Sequence, residues 1–77
     1  MDAFEVQQRY TSISNAIEAA RAERKRQMDV IASTARSGQH DASDRARHLL
    51  AAIDGSLEEL ERQQAALEGQ LANASAE

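Results

Sequence analysis

Two histidines and two aspartates crowd the midpoint of the chain: His40, Asp41, Asp44 and His48. Imidazole and carboxylate groups are common metal ligands and general acids or bases. Asp44 and His48 stand four apart, so they share a face of any helix that contains them. The chemistry this spacing could support is metal binding. The residues lie, however, in "GQHDASDRA" (38–46), beside Gly38, where a turn between two helical stretches is also expected. Helix-capping acids and surface histidines account for the same four residues. Elsewhere the chain has no Gly-rich phosphate loop, nucleophile elbow or H-E-x-x-H motif. The reading is therefore of a non-enzyme, with no catalytic residues, no metal ligands and no cofactor.

The elements that would position this turn are legible in the composition. The 77 residues include no proline, no cysteine, no tryptophan and three glycines. Ala, Glu, Gln and Arg dominate, which favours helix, and the β-branched and aromatic residues that favour strands are scarce. One small all-α domain is expected. Without cysteine there is no disulfide framework and no zinc finger, which fits a reducing compartment. "MDAFEVQQRY" lacks a basic start followed by an apolar run, and "LLAAI" is too short to span a bilayer. A cytoplasmic protein with no membrane partner is the expectation. A formal net charge of -4 argues against direct nucleic-acid binding.

Apolar periodicity sets the architecture. Val6, Tyr10, Ile13, Ile17 and Ala20 are separated by alternating steps of four and three. The beat continues through Arg24, Gln27 (with Met28 beside it), Ile31 and Thr34 or Ala35. In the second half it runs through Ala46, Leu50, Ile53, Leu57, Leu60, Gln64, Leu67, Leu71 and Ala74. A 3-4 spacing sustained over this length is the seam of a coiled coil. Helices over about 3–36 and 43–72 are predicted, with a turn over about 37–42 and a frayed tail. "TSISN" (11–15) is poor helix material and marks a place for a bend.

Folding the chain back near residue 40 pairs positions whose numbers sum to about 80. Tyr10 then meets Leu71, Ile13 meets Leu67, Ala20 meets Leu60, Met28 meets Ile53, Ile31 meets Leu50, and Ala35 meets Ala46. Val6 would meet Ala74. The cluster Arg21, Lys25 and Arg26 falls level with Asp54, Glu58, Glu59 and Glu61, and Glu18 with Arg62, so charge supports the antiparallel register. Arg24 is expected to snorkel from the seam; Gln64 is the other polar seam residue. In the turn, Asp41 is expected as the N-cap of the second helix with Asp44 at its third position, repeating the Asp2 and Glu5 start of the first.

A lone hairpin leaves each side of its seam open to water, and Val30, Leu49 and Phe4 widen the apolar stripe. The expected function is protein–protein interaction through an apolar face comprising Tyr10, Ile13, Ile17, Ile31, Leu49, Leu50, Ile53, Leu57, Leu60, Leu67 and Leu71. The partner is either a second copy, giving a four-helix bundle, or another helical protein.

Two resemblances sharpen this. "DASDRA" (41–46) resembles the D-x-x-D-x-A signature at the coiled-coil tip of DksA/TraR-type regulators of RNA polymerase. That resemblance implies a hairpin that enters the polymerase secondary channel, with Asp41 and Asp44 as the acting acids and Ala46 as the small residue. The zinc-binding cysteines of that family have no counterpart here, and "RHLLAAI" replaces its acid-rich segment. In shape alone, the chain is similar to YscE-type co-chaperones of type III secretion, small cysteine-free helical hairpins that bind partner helices.

Overall fold

Asp2 starts the first helix. Its Oδ1 accepts a hydrogen bond from the backbone N–H of Glu5 at 2.8 Å, satisfying one of the unpaired amides of the first turn. From there α1 runs without interruption over Ala3–Arg36. The computed structural model describes residues 2–76, with side chains as far as Asn73. The "TSISN" stretch stays inside α1, because the seam runs through Ile13 and packing outweighs its weak local propensity.

Gly38 ends α1. Its φ of +75° is the left-handed conformation that side-chain-bearing residues disfavour. The Gly38 N–H donates to the Ala35 carbonyl at 3.3 Å and the Gln39 N–H to the Thr34 carbonyl at 2.9 Å. These two bonds are a Schellman motif, which uses the last carbonyls of the helix while reversing the chain. The Ser37 hydroxyl adds bonds to the carbonyls of Ser33 and Thr34, both at 3.2 Å.

The second helix, α2, covers His40–Ala76. It begins three residues before the expected 43, because the Schellman turn is complete by Gln39. The Gln39 carbonyl accepts from the Ser43 N–H at 3.0 Å, so Gln39 occupies the N-cap position. Asp41 is therefore the second residue of the helix and Asp44 the fifth, which corrects the expected cap. α2 also extends to Ala76, past the expected end near 72: "ANASA" offers alanines and no proline or glycine to stop it.

The two helices pack antiparallel into a rod whose extents are 59 × 15 × 14 Å. This matches helices of 34 and 37 residues, about 51 and 56 Å long at 1.5 Å per residue. The fold class is an all-α helical hairpin. Its Cα radius of gyration is 17.2 Å, against about 11–12 Å for a compact domain of this length.

The packed residues follow the heptad. Val6, Ile17, Ala46, Leu57 and Leu67 are the buried apolar side chains. Tyr10, Ile13, Ala20, Arg24, Gln27, Ile31, Thr34, Leu50, Ile53, Leu60, Gln64 and Leu71 complete the seam, half-buried. Two expected seam members change. Met28 and Ala35 are exposed, and Gln27 and Thr34 hold the seam at those levels, because the strict 3-4 beat passes one residue before each. The pairing of Val6 with Ala74 lies outside the described residues on its Ala74 side.

Gly55 and Gly69 sit inside α2, and an added Cβ at either meets open space. Gly55→Ala should therefore stabilise the fold by about 0.5–1 kcal/mol, since only the flexibility of glycine is lost. A higher urea midpoint at unchanged m-value and fixed protein concentration is the check.

Candidate interaction surface

The seam residues define a heptad in which Tyr10, Ile17, Arg24 and Ile31 of α1 and Leu50, Leu57, Gln64 and Leu71 of α2 are a positions. Val6, Ile13, Ala20, Gln27 and Thr34, with Ala46, Ile53, Leu60 and Leu67, are d positions. In an antiparallel pair the e positions of both helices line one flank of the seam and the g positions line the other. The two flanks of this rod differ.

The e flank is bridged by polar groups. Tyr10 Oη donates to Glu68 Oε1 at 3.1 Å, Gln64 Nε2 donates to Ser14 Oγ at 3.1 Å, and Arg24 Nε donates to Asp54 Oδ1 at 2.6 Å. Arg21 approaches Glu61 at 3.6 Å. The numbers in the first three pairs share one sum, 78, so they lock the antiparallel register within two residues of the expected one. Arg24 packs its stem in the seam and carries its guanidinium to the edge, where Nη1 also contacts Met28 Sδ at 3.2 Å. Gln64 is used: it and Ser14 satisfy each other where a dry core would tolerate neither alone. The Glu68 carboxylate, by accepting the phenol hydrogen bond, raises the Tyr10 pKa above its usual value.

The expected charge pairing is realised only in part. Arg21 reaches across to Glu61, but Arg26 turns back to Glu23 and Arg62 to Glu59, each three residues away on its own helix. Glu18 is not the partner of Arg62, because the i, i+3 acid is nearer. Gln27 and then Arg26 hold the Glu23 carboxyl below the usual carboxylate range; Arg62 and then Gln63 do the same for Glu59.

The g flank has no such bridges: among the described residues, no side-chain hydrogen bond or ion pair crosses it. Val30 and Leu49 lie at one level there and are 40% and 49% exposed. Nearer the open end, Arg9, Ile13, Gln63, Ala66 and Leu67 line an open groove along the same flank.

The eleven residues expected to form the interaction face fall as follows. Ile17, Leu57 and Leu67 are buried, Leu49 is exposed, and the other seven are half-buried seam residues. Apart from Leu49, the face is thus the hairpin's own seam, incompletely covered. No side chain in the described residues is completely shielded from water. Val30 was noted in the sequence only as widening the apolar stripe, and its pairing with Leu49 across the flank emerges from the register.

At the turn, Asp41 and Asp44 are both exposed, and among the described residues no backbone amide donates to either carboxylate. Asp41 interacts favourably with the dipole of the first turn of α2. Ala46 is not at the tip but buried in the seam, as is Ser43 between the two acids. Extending the 3-4 beat back from Ala46 reaches Ser43; its hydroxyl obscured that signal. The described residues contain no group of three or more His, Asp or Glu side chains arranged to hold a metal ion. Nor does any helix in them have the length and apolar character to cross a membrane.

No family model, no curated protein and no solved structure matches the chain.

Proposed function

We propose that this protein is a non-enzymatic interaction module that works by packing its half-covered seam and the adjoining apolar flank against another helical element. The observation that carries the reading is the incomplete core: Ile13, Ile31, Leu50, Ile53 and Leu60 are only half-buried, and Val30 and Leu49 are exposed beside them. Isolated apolar residues on a surface need no explanation, but half-covered apolar side chains recurring at heptad spacing beside two exposed ones do. Covering it removes apolar area from water at about 25 cal/mol per Å².

A second reading places the activity at the turn, in the manner of a hairpin regulator entering the RNA polymerase secondary channel. It is favoured by one observation: Asp41 and Asp44 are exposed at the end of a long rod, and capping does not occupy either carboxylate.

One capture experiment, using the full chain as bait in three forms, tests both. The interaction reading expects Leu49→Glu to lose what the wild type recovers, self or partner, while Asp41→Asn with Asp44→Asn recovers it unchanged. The tip reading expects RNA polymerase among the partners and loss of its altered activity in the double Asn variant. If all three forms recover the same set, the apolar-flank reading fails. Helical circular dichroism of each form guards against trivial unfolding.

A further inference from the structure

We propose that the g flank is where two copies of this chain associate side by side, completing a four-helix bundle in solution. This rests on the interaction reading above and names its partner.

Area supports a second copy. The chain exposes 5565 Å², whereas a compact monomer of 8.4 kDa exposes about 4,600 Å². The excess of roughly 1,000 Å² per chain is what each partner hides in a standard protein–protein interface, about 800 Å². Shape narrows the occupant further. Half-buried seam residues recur from Tyr10 to Ile31 and from Leu50 to Leu71, and a second hairpin has the length to follow them along the 59 Å rod.

Charge then chooses the flank. Within α1 and α2, the g positions and the c positions outside them carry Arg9, Arg26 and Arg45 against Glu5, Glu23 and Glu59, three of each sign, with the capping Asp2 one residue before α1. The e and b positions carry Arg21, Lys25 and Arg47, joined at the e edge by the Arg24 guanidinium, against six acids: Glu18, Asp44, Asp54, Glu58, Glu61 and Glu68. Two copies meeting by their e flanks would bring two acidic surfaces together; meeting by their g flanks they bring two neutral ones. On the neutral flank, Glu23 and Glu59 are already paired within their own helices, so little charge is stranded by burial.

The apolar groups agree. The d positions adjoin the g flank at i+3 and i−4, so the half-covered side chains of Ile13, Ile53 and Leu60 open towards it, alongside Val30 and Leu49. On the e side the two exposed apolar side chains stand far apart, Phe4 near the open end and Met28 with its sulfur against Arg24, and the groove beside Met28 is lined mainly by the charged Arg21, Lys25, Asp54, Glu58 and Glu61.

Sedimentation equilibrium of the purified full chain at tens of micromolar is the test. The expected mass is twice 8.4 kDa. Leu49→Glu, and independently Val30→Glu, should weaken association at least tenfold, whereas Met28→Glu on the e flank should leave it unchanged. If the separated monomers unfold, cross-linking still reads the face. The chain has no cysteine, so Ser56→Cys on the g flank should link to its copy through a short bis-maleimide, and Glu61→Cys on the e flank should not. A wild type that sediments as a helical monomer overturns the proposal, as does a dimer broken by Met28→Glu and indifferent to Leu49→Glu. A monomer that still loses a captured partner on Leu49→Glu overturns the second copy alone. A monomer that captures nothing overturns the interaction reading as well.

Discussion

Ile17→Ala should lower the unfolding free energy by about 2–3 kcal/mol, the largest effect expected from a single truncation in this chain. Ile17 is only 3% exposed, the best-covered apolar side chain in the seam. Removing a buried aliphatic side chain to Cβ costs about 2–5 kcal/mol, the sum of lost transfer energy and the cavity left behind. The lower part of that range applies because a two-helix seam can close up around the gap more freely than a multilayered core. A domain of this size has a total of about 4–12 kcal/mol, and a rod with few buried side chains belongs at the low end. One methylene-rich side chain thus supports a large share of the fold. Urea unfolding at fixed protein concentration reads the change, with the midpoint falling and the m-value unchanged. Leu49→Ala gives the internal contrast: within about 0.5 kcal/mol if that side chain stays exposed, and more if a second copy buries it.

Gly38→Ala is expected to destabilise by about 1–2 kcal/mol, the cost of placing an L side chain in the left-handed region. An added Cβ there would meet no atom within 4 Å, so the penalty is backbone strain and not collision. The Schellman bonds to Ala35 and Thr34 require that backbone geometry. Substitution therefore forces either strain in the turn or loss of the bonds that reverse the chain. Gly38→Asn should cost less, because asparagine tolerates this conformation. The comparison with Gly55→Ala is the control: the same chemical change has the opposite sign inside α2, where helical φ suits alanine. Urea midpoints of the three variants, measured together, separate the turn requirement from the general effect of removing a glycine.

Much of the hairpin was legible because one signal, the 3-4 beat, carries both helix and partner face. It placed Val6, Ile17, Leu57 and Leu67 in the seam and put the reversal near residue 40. Polar members of the beat were harder to read. Gln64 breaks the apolar beat and finds its reason only in Ser14 opposite it, and Ser43, though buried, carries no apolar signal because of its hydroxyl. Cap chemistry misled at the second helix. "DASD" has the residues of an N-cap box, but Gly38 and Gln39 complete the turn first, so Asp41 and Asp44 fall inside the helix. The same type of motif at Asp2 does cap, its Oδ1 accepting from the Glu5 N–H at 2.8 Å.

By itself, then, the amino-acid sequence determined the two helices, their seam and an antiparallel reversal near residue 40, since each follows from periodicity summed over many residues. Tertiary structure decided what local pattern cannot: which of several nearby acids each arginine takes, and which carboxylates are left without a partner. It also decided that the two flanks differ, one bridged by Tyr10, Arg24 and Gln64, the other unbridged beside Val30 and Leu49. Those outcomes depend on distances of a few ångströms between side chains far apart in the chain, and only the packed helices set them.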